Sequence, residues 1–269
     1  MMKHEHTSVK RDIVVHAPPE AVWKALTVPE ERNRWETVQC RIDLAVGGTV
    51  ELDYGWGVTY TGTVVQLEAN RRLVLADEHH DLTIWTLEPH PEGIRVEIEY
   101  TGMWSGDLGI MRMENMAFGT GLFLHNLQGL FEGGPDIRSS IWLSWIGAHH
   151  RTHANAALSG SVIVEVVAGT PADGILSVGD LIADMNGMPV RGYDDLESVA
   201  TRNALFFFRN DGRIINDNPL PVQIKQHFIS VFRIFNVNLA FILLNQGSVT
   251  AVYLYRSLQS TGLIGPEIF

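Results

Sequence analysis

The chain has a single cysteine, Cys40, in 269 residues. An intrachain disulfide is excluded, and a reducing, cytoplasmic setting is the expectation. Basic residues are scarce: 20 Lys and Arg stand against 31 Asp and Glu, a net charge of −11. An acidic chain gains nothing by releasing phosphate counterions, so nucleic acid is not an expected partner. The first ten residues hold no apolar run and do not read as a secretion signal. Long apolar runs are also rare. Phe228 to Leu244 comes nearest, but Arg233, Asn236 and Asn238 interrupt it and each is costly in lipid, so no membrane partner is expected. There is no Walker loop, dinucleotide fingerprint, zincin motif or nucleophile elbow. No catalytic residue, metal site or cofactor is nominated, and a binding protein is expected rather than an enzyme.

What is present is an ordinary globular mixture, 45% apolar and 19% charged, enough to bury real cores. The length suits two domains. Acidic residues number 28 before position 203 and three after it, which marks a change of character in the last quarter. Val9 to His16 alternates and is β-branched, so it reads as a strand. Pro18-Pro19-Glu20 opens a helix, and Pro29 ends it and starts a short second one that carries Trp35. Six strands follow between Arg41 and Thr101, and a long helix is predicted over Met111 to Phe131. Strand, helix pair, antiparallel strands and long helix make an α+β plan, with space for an apolar cavity between sheet and helix.

Arg11 to Thr27, Trp35, the Val46-Gly47-Gly48 turn, Gly62-Thr63-Val64 and Arg72-Leu73-Val74 together resemble the activator of heat-shock protein 90 ATPase homologue family over residues 9–133. Members carry Gly-Trp early in the last helix, where this chain has Phe118-Gly119-Thr120-Gly121. The resemblance implies a START-like, helix-grip fold with a ligand cavity. Trp23, Trp35, Trp56, Tyr60, Trp85, Met113, Met116 and Leu124 are its candidate lining, and Trp56, between two glycines, is the candidate mouth residue.

Residues 142–202 carry a second pattern. Val162-Ile163-Val164, Thr170-Pro171-Ala172, Val178-Gly179-Asp180-Leu181-Ile182 and Asn186 to Val190 resemble the PDZ domains of bacterial high-temperature-requirement proteases. Gly169 to Gly174 is expected to turn into a short helix, and Tyr193 to Ala200 to form a longer one. The resemblance implies a mainly-β domain that captures a peptide C-terminus by strand addition. Trp145, Ile146, Gly147 and Ala148 would form the carboxylate loop, Ile146 to His150 the receiving edge, and Leu196 and Val199 the groove wall. The expected division is 1–138, 139–215 and an unassigned β-rich tail, 216–269. Within the tail Leu239 to Leu244 and Val249 to Tyr255 read as a hairpin, and just before it Asn210-Asp211-Gly212 reads as a turn between two short strands. The tail is expected to complete the second domain's sheet or to make a homodimer contact.

The remaining constellations have ordinary explanations. His149, His150 and His153 lack a third ligand type nearby, and a solvated strand edge accounts for them. His79-His80-Asp81 suits a hairpin turn. Glu36, Glu51, Glu97 and Glu99 alternate with apolar residues, as on a solvent face. Three functions stay open: a non-enzymatic protein pairing a small hydrophobic ligand with peptide docking, a co-chaperone of a heat-shock ATPase, and a cyclase- or hydrolase-type enzyme using the same cavity.

Overall fold

The computed structural model describes residues 5–55, 57–141, 145–155, 158–201, 205–213 and 250–254. Trp56, Phe228 to Leu244 and the expected strand Leu239 to Leu244 lie outside the described residues. The described chain divides into two compact units, one ending at Ser139 and the other beginning at Ser140.

The first unit runs β1 (Glu5–Val15), α1 (Pro19–Thr27), α2 (Pro29–Arg32), β2 (Gln39–Ile42), β3 (Thr49–Gly55), β4 (Val58–Glu68), β5 (Arg72–Ala76), β6 (Leu82–His90), β7 (Gly93–Ser105) and α3 (Gly106–Phe131). Seven strands form one antiparallel sheet in the order β1-β7-β6-β5-β4-β3-β2. A large antiparallel sheet with a long helix is consistent with a START-like helix-grip fold. Because β1 and β2 occupy opposite edges, α1 and α2 carry the chain across the sheet's width.

Local chemistry explains most boundaries. Pro19 opens α1 at a position where its missing N–H costs nothing, and Glu20 and Lys24 sit at the ends that the helix dipole favours. Val28 is extended (φ −98, ψ 119), as a residue before proline prefers, so α1 stops there and Pro29 starts α2. Trp35 lies in the turn after α2, not on it, because α2 is only one turn long. On β7, Ile94, Val96 and Ile98 are buried while Glu97 and Glu99 turn outward to Lys10. α3 starts at Gly106, five residues before the expected Met111, because Gly106 adopts φ +69 and lets the chain leave β7 directly into the helix.

The core gathers α1, the sheet's inner face and the C-terminal half of α3. Trp35 and Trp85 meet edge to face at 6.2 Å, and the Trp35 indole N–H donates to the Ala25 carbonyl at 2.8 Å. Asn126, fully buried on α3, donates to the Trp35 carbonyl (2.7 Å) and to Asp136 (3.0 Å) and accepts from the Ile137 amide (2.9 Å). Arg138 then donates to the carbonyls of Thr37 (2.7 Å) and Asn33 (3.0 Å) while paired with Asp136. These bonds fold the segment after α3 back onto the turn that follows α2.

The second unit contains β8 (Ala148–Ala154), β9 (Ser159–Val166), β10 (Asp180–Met185), β11 (Met188–Pro189), α4 (Tyr193–Ala200), β12 (Leu205–Arg213) and β13 (Thr250–Leu254). Its sheet has the order β13-β12-β10-β9-β8, with β11 paired to β10. Residues 171–175 form a turn instead of the expected helix. β12 runs straight through Asn210-Asp211-Gly212, so the hairpin expected there is absent, and β13 pairs antiparallel with β12. Asn-Gly at 186–187 does turn, with both residues at positive φ.

Asp136 generates a pH prediction. Burial pushes its carboxyl up, but hydrogen bonds from Arg138 and Asn126 outweigh that and hold it below its ordinary 3.8. A carboxyl lowered in the folded state stabilises the fold above its unfolded value, and that contribution is lost as pH falls through the folded value. The stability gap between the wild type and Asp136→Asn, measured by urea denaturation, is expected to be largest near neutrality and to shrink as pH falls below about 4.

Candidate functional site

The interior of the first unit holds two groups of side chains. Trp23, Trp35, Trp85 and Leu124 are packed into the core, with exposures of 8, 1, 1 and 1%. Packed against that core stand Tyr54 on β3, Tyr60 on β4, Tyr100 on β7 and Phe123 on α3, all partly buried. Of the expected lining, Tyr60 therefore belongs to the partly buried group and the three tryptophans and Leu124 to the core. Met113 is buried and Met116 half-buried on α3, both outside the main core cluster.

The partly buried group is aromatic with polar tips. Tyr54 and Phe123 rings lie 6.1 Å apart, and the Tyr100 and Thr120 hydroxyls share a hydrogen bond of 3.0 Å. Gly62 is bare so that Tyr60 can lie along β4, because a Cβ there would run into the Tyr60 hydroxyl. Burial pushes the phenols of Tyr54, Tyr60 and Tyr100 up, so all three are neutral at physiological pH. The buried Trp85 indole N–H has no hydrogen-bond partner, and the buried Tyr60 hydroxyl has none within good hydrogen-bond geometry, with Thr83 beside it.

Beside these rings lies an ion pair the sequence reading missed. Arg32 Nε donates to Glu36 at 2.6 Å, with the side chains 1% and 6% exposed. Arg32 Nη1 donates to the Leu26 carbonyl at 2.9 Å, and the guanidinium lies 5.5 Å from the centre of the Trp85 ring. Glu36 was expected on a solvent face. It is buried because it sits one helical turn after Arg32, facing inward, and not on a strand. Glu51 and Glu97 fit the expectation, paired with Arg41 and Lys10 on the outside. Burial pushes the Cys40 thiol up to about 11, with Arg32 opposing, so it is an inert packing group. His79 and His80 lie in an exposed turn whose amides at His79 and Asp81 donate to Asp77.

In the second unit the expected peptide residues separate. Ile146, Ala148, Leu196 and Val199 are core, between 0 and 3% exposed. Trp145 is half-buried, its ring 5.6 Å from His149. Gly147 has φ +87, and a Cβ would collide with Thr170, whose hydroxyl donates to the Gly147 carbonyl at 2.9 Å. The α4 face turned to β8 is Tyr193 and Glu197, one turn apart, instead of Leu196 and Val199. His150 stacks on Tyr193 with ring centres 4.5 Å apart, and its Nε2 meets Glu197 at 2.8 Å. Its Nδ1 meets the Ser161 hydroxyl at 2.7 Å, and that hydroxyl donates to the Arg151 carbonyl. The chain Ser161–His150–Glu197 has the residue types of a nucleophilic triad, but Ser161 is fully buried, so the network holds β8 against α4. Thr152 adds to this by accepting from the Tyr193 amide at 2.9 Å. Among the described residues no group of three metal-ligating side chains comes together, and no helix is long and apolar enough to cross a membrane.

Residues 16–132 match the family described as activator of Hsp90 ATPase homolog 1-like protein. This part of the chain, under half of its length, forms an activator-like domain similar to that family. Three solved structures are similar to it. The X-ray structure of a Mesorhizobium loti protein is 23% identical and covers 47% of this chain and 97% of its own, with a TM-score of 0.41. The AHSA1-like protein from Aeromonas hydrophila is 22% identical, covering 46% and 93% at 0.39. The Aha1 dimer from Colwellia psychrerythraea is 19% identical, covering 48% and 98% at 0.43. No curated protein matches the chain.

In the activator-like domain, Glu36→Ala leaves Arg32 buried and uncompensated and is expected to destabilise by roughly 3–5 kcal/mol in urea denaturation. The double change Arg32→Met with Glu36→Leu removes both charges and is expected to cost much less. Equal losses in the two proteins would contradict the pairing argument.

Proposed function

We propose that the activator-like domain is a non-enzymatic binding module whose interior, between the sheet and α3, takes a small uncharged apolar ligand. One observation carries the reading: Tyr54, Tyr60, Tyr100 and Phe123, from three strands and α3, pack against the core and are only partly buried, as side chains lining a space do. The lining would be Tyr54, Tyr60, Tyr100, Met113, Met116 and Phe123, with the tryptophans and Leu124 as its rigid floor. Burial keeps the phenols neutral, which suits an uncharged occupant.

Native mass spectrometry of protein purified without organic solvent is expected to show retained mass, or saturable uptake of 1-aminoanthracene. Thr120→Phe, which fills the space beneath Tyr100, is expected to lower that uptake at least tenfold with the melting transition kept. Absence of both retained mass and probe uptake in the wild type would refute the reading.

We infer a second role for the second unit, peptide docking in the PDZ manner. Among the described residues β8 has one strand neighbour, β9, and an unpaired strand edge is a template for strand addition. With the seam to α4 filled by His150 and Tyr193, recognition would rest on backbone pairing along β8 and on the loop at Trp145 to Ala148. Peptides with a free hydrophobic C-terminus are expected to bind at least tenfold more tightly than their amidated forms in fluorescence anisotropy. Equal binding of the two forms would reject carboxylate capture. A co-chaperone role has only the family's description behind it, and stimulation of a heat-shock ATPase by the purified chain is its check.

A further inference from the structure

The activator-like domain has a second depression, separate from the interior. It is an open groove of about 330 Å³ between α1 and the last turns of α3, bounded by Glu31 of α2 and by Arg34 and Trp35 after it. Its origin is legible in the helices. Ala21 and Ala25 are one turn apart on α1, so their short side chains lower one face of that helix. Leu127, Leu130 and Phe131 recur at helical spacing on α3 and face the gap. Trp35 and Leu127, each 1% exposed, close the floor. The volume is at the small end of the range for small-molecule sites, and the floor is apolar throughout.

The rim is charged and unbalanced. Lys24, Glu31 and Arg34 are its charged members. Glu31 is already taken by Arg34 at 2.7 Å. Lys24, exposed on α1 between Ala21 and Ala25, makes no side-chain hydrogen bond or ion pair among the described residues. One positive charge is therefore left over at the edge of an apolar trough, on a chain whose net charge is −11. The methylenes of Lys24 can lie along the groove while its ammonium stays at the water boundary.

We propose that this groove binds a small amphipathic carboxylate, with the apolar body between α1 and α3 and the carboxylate on Lys24. The groove's occupant does not depend on whether the interior binds anything.

Octanoate and 1-octanol serve as probes for the full chain, with calorimetric titration and the indole N–H signals as readouts. Octanoate is expected to bind saturably and to shift the Trp35 indole signal. Lys24→Gln, an exposed change that a helix tolerates, is expected to weaken octanoate about fivefold to tenfold and octanol less than about twofold. Ala21→Trp fills the groove and is expected to abolish octanoate binding, whereas Thr120→Phe in the interior is expected to leave it unchanged. Circular dichroism confirms that each variant is folded. The proposal is overturned by no saturable octanoate binding, by Lys24→Gln binding octanoate as tightly as the wild type, or by loss of octanoate binding in Thr120→Phe.

Discussion

Arg32 and Glu36 leave water together, and the first unit is arranged around the consequences. A lone guanidinium or carboxylate in such a place would cost several kcal/mol, so each needs the other and needs further hydrogen bonds as well. Leu26, at the end of α1, supplies a carbonyl, and Trp85, on β6, supplies a ring face. α2 is a single turn and could not persist as an isolated helix. It holds its place because moving it would separate a buried charge from its partner. Trp35, three residues past α2, is positioned by the same restraint, and its bond to Ala25 and its contact with Trp85 follow. Burial is the main influence on Cys40, Tyr54 and Tyr100, and the pair adds smaller, opposing contributions from Arg32 and Glu36 to each.

Much of this fold could be read from the sequence where the causes are local. Prolines at 18, 19 and 29 fix φ on the spot, so α1 and α2 were placed by their punctuation. Period-two alternation needs only neighbours to be visible, so the strands from Thr49 to Thr101 were readable. Where the cause lies far along the chain, reading fails. Glu36 looks like a solvent-facing residue until Trp85, some fifty positions later, covers Arg32. The start of α3 depends on Gly106 taking positive φ and on Gly109 approaching the Trp104 backbone, where a Cβ would come within 3.2 Å. Neither is marked by apolar spacing. The partly buried aromatic group was only partly anticipated. Tyr60 was expected there, but Tyr100 and Phe123 were not, because the spacing of an aromatic residue gives no sign of which rings from other elements it will meet.

The second unit shows the same limit on a helix. Tyr193 to Ala200 has an apolar face at Leu196, Val199 and Ala200 and a mixed face at Tyr193 and Glu197. Either could have been assigned to β8 from spacing alone. The choice is made by His150, a buried polar ring that requires partners, and only Tyr193 and Glu197 offer both a stacking face and an acceptor. Gly147 is likewise explained within the fold, since Thr170 occupies the space a side chain would take.

The fold-back after α3 bears on how the chain would respond to tension. Arg138 grips two carbonyls of the α2 turn, and Asp136 and Ile137 are held by Asn126 within α3. A pull exerted from beyond Ser139 would therefore reach this clasp before it reached the last turn of α3. Several hydrogen bonds would be loaded side by side instead of opening one after another, and side-by-side loading is the sturdier arrangement. The last turn of α3 is shielded in this way from strain on the segment that follows it.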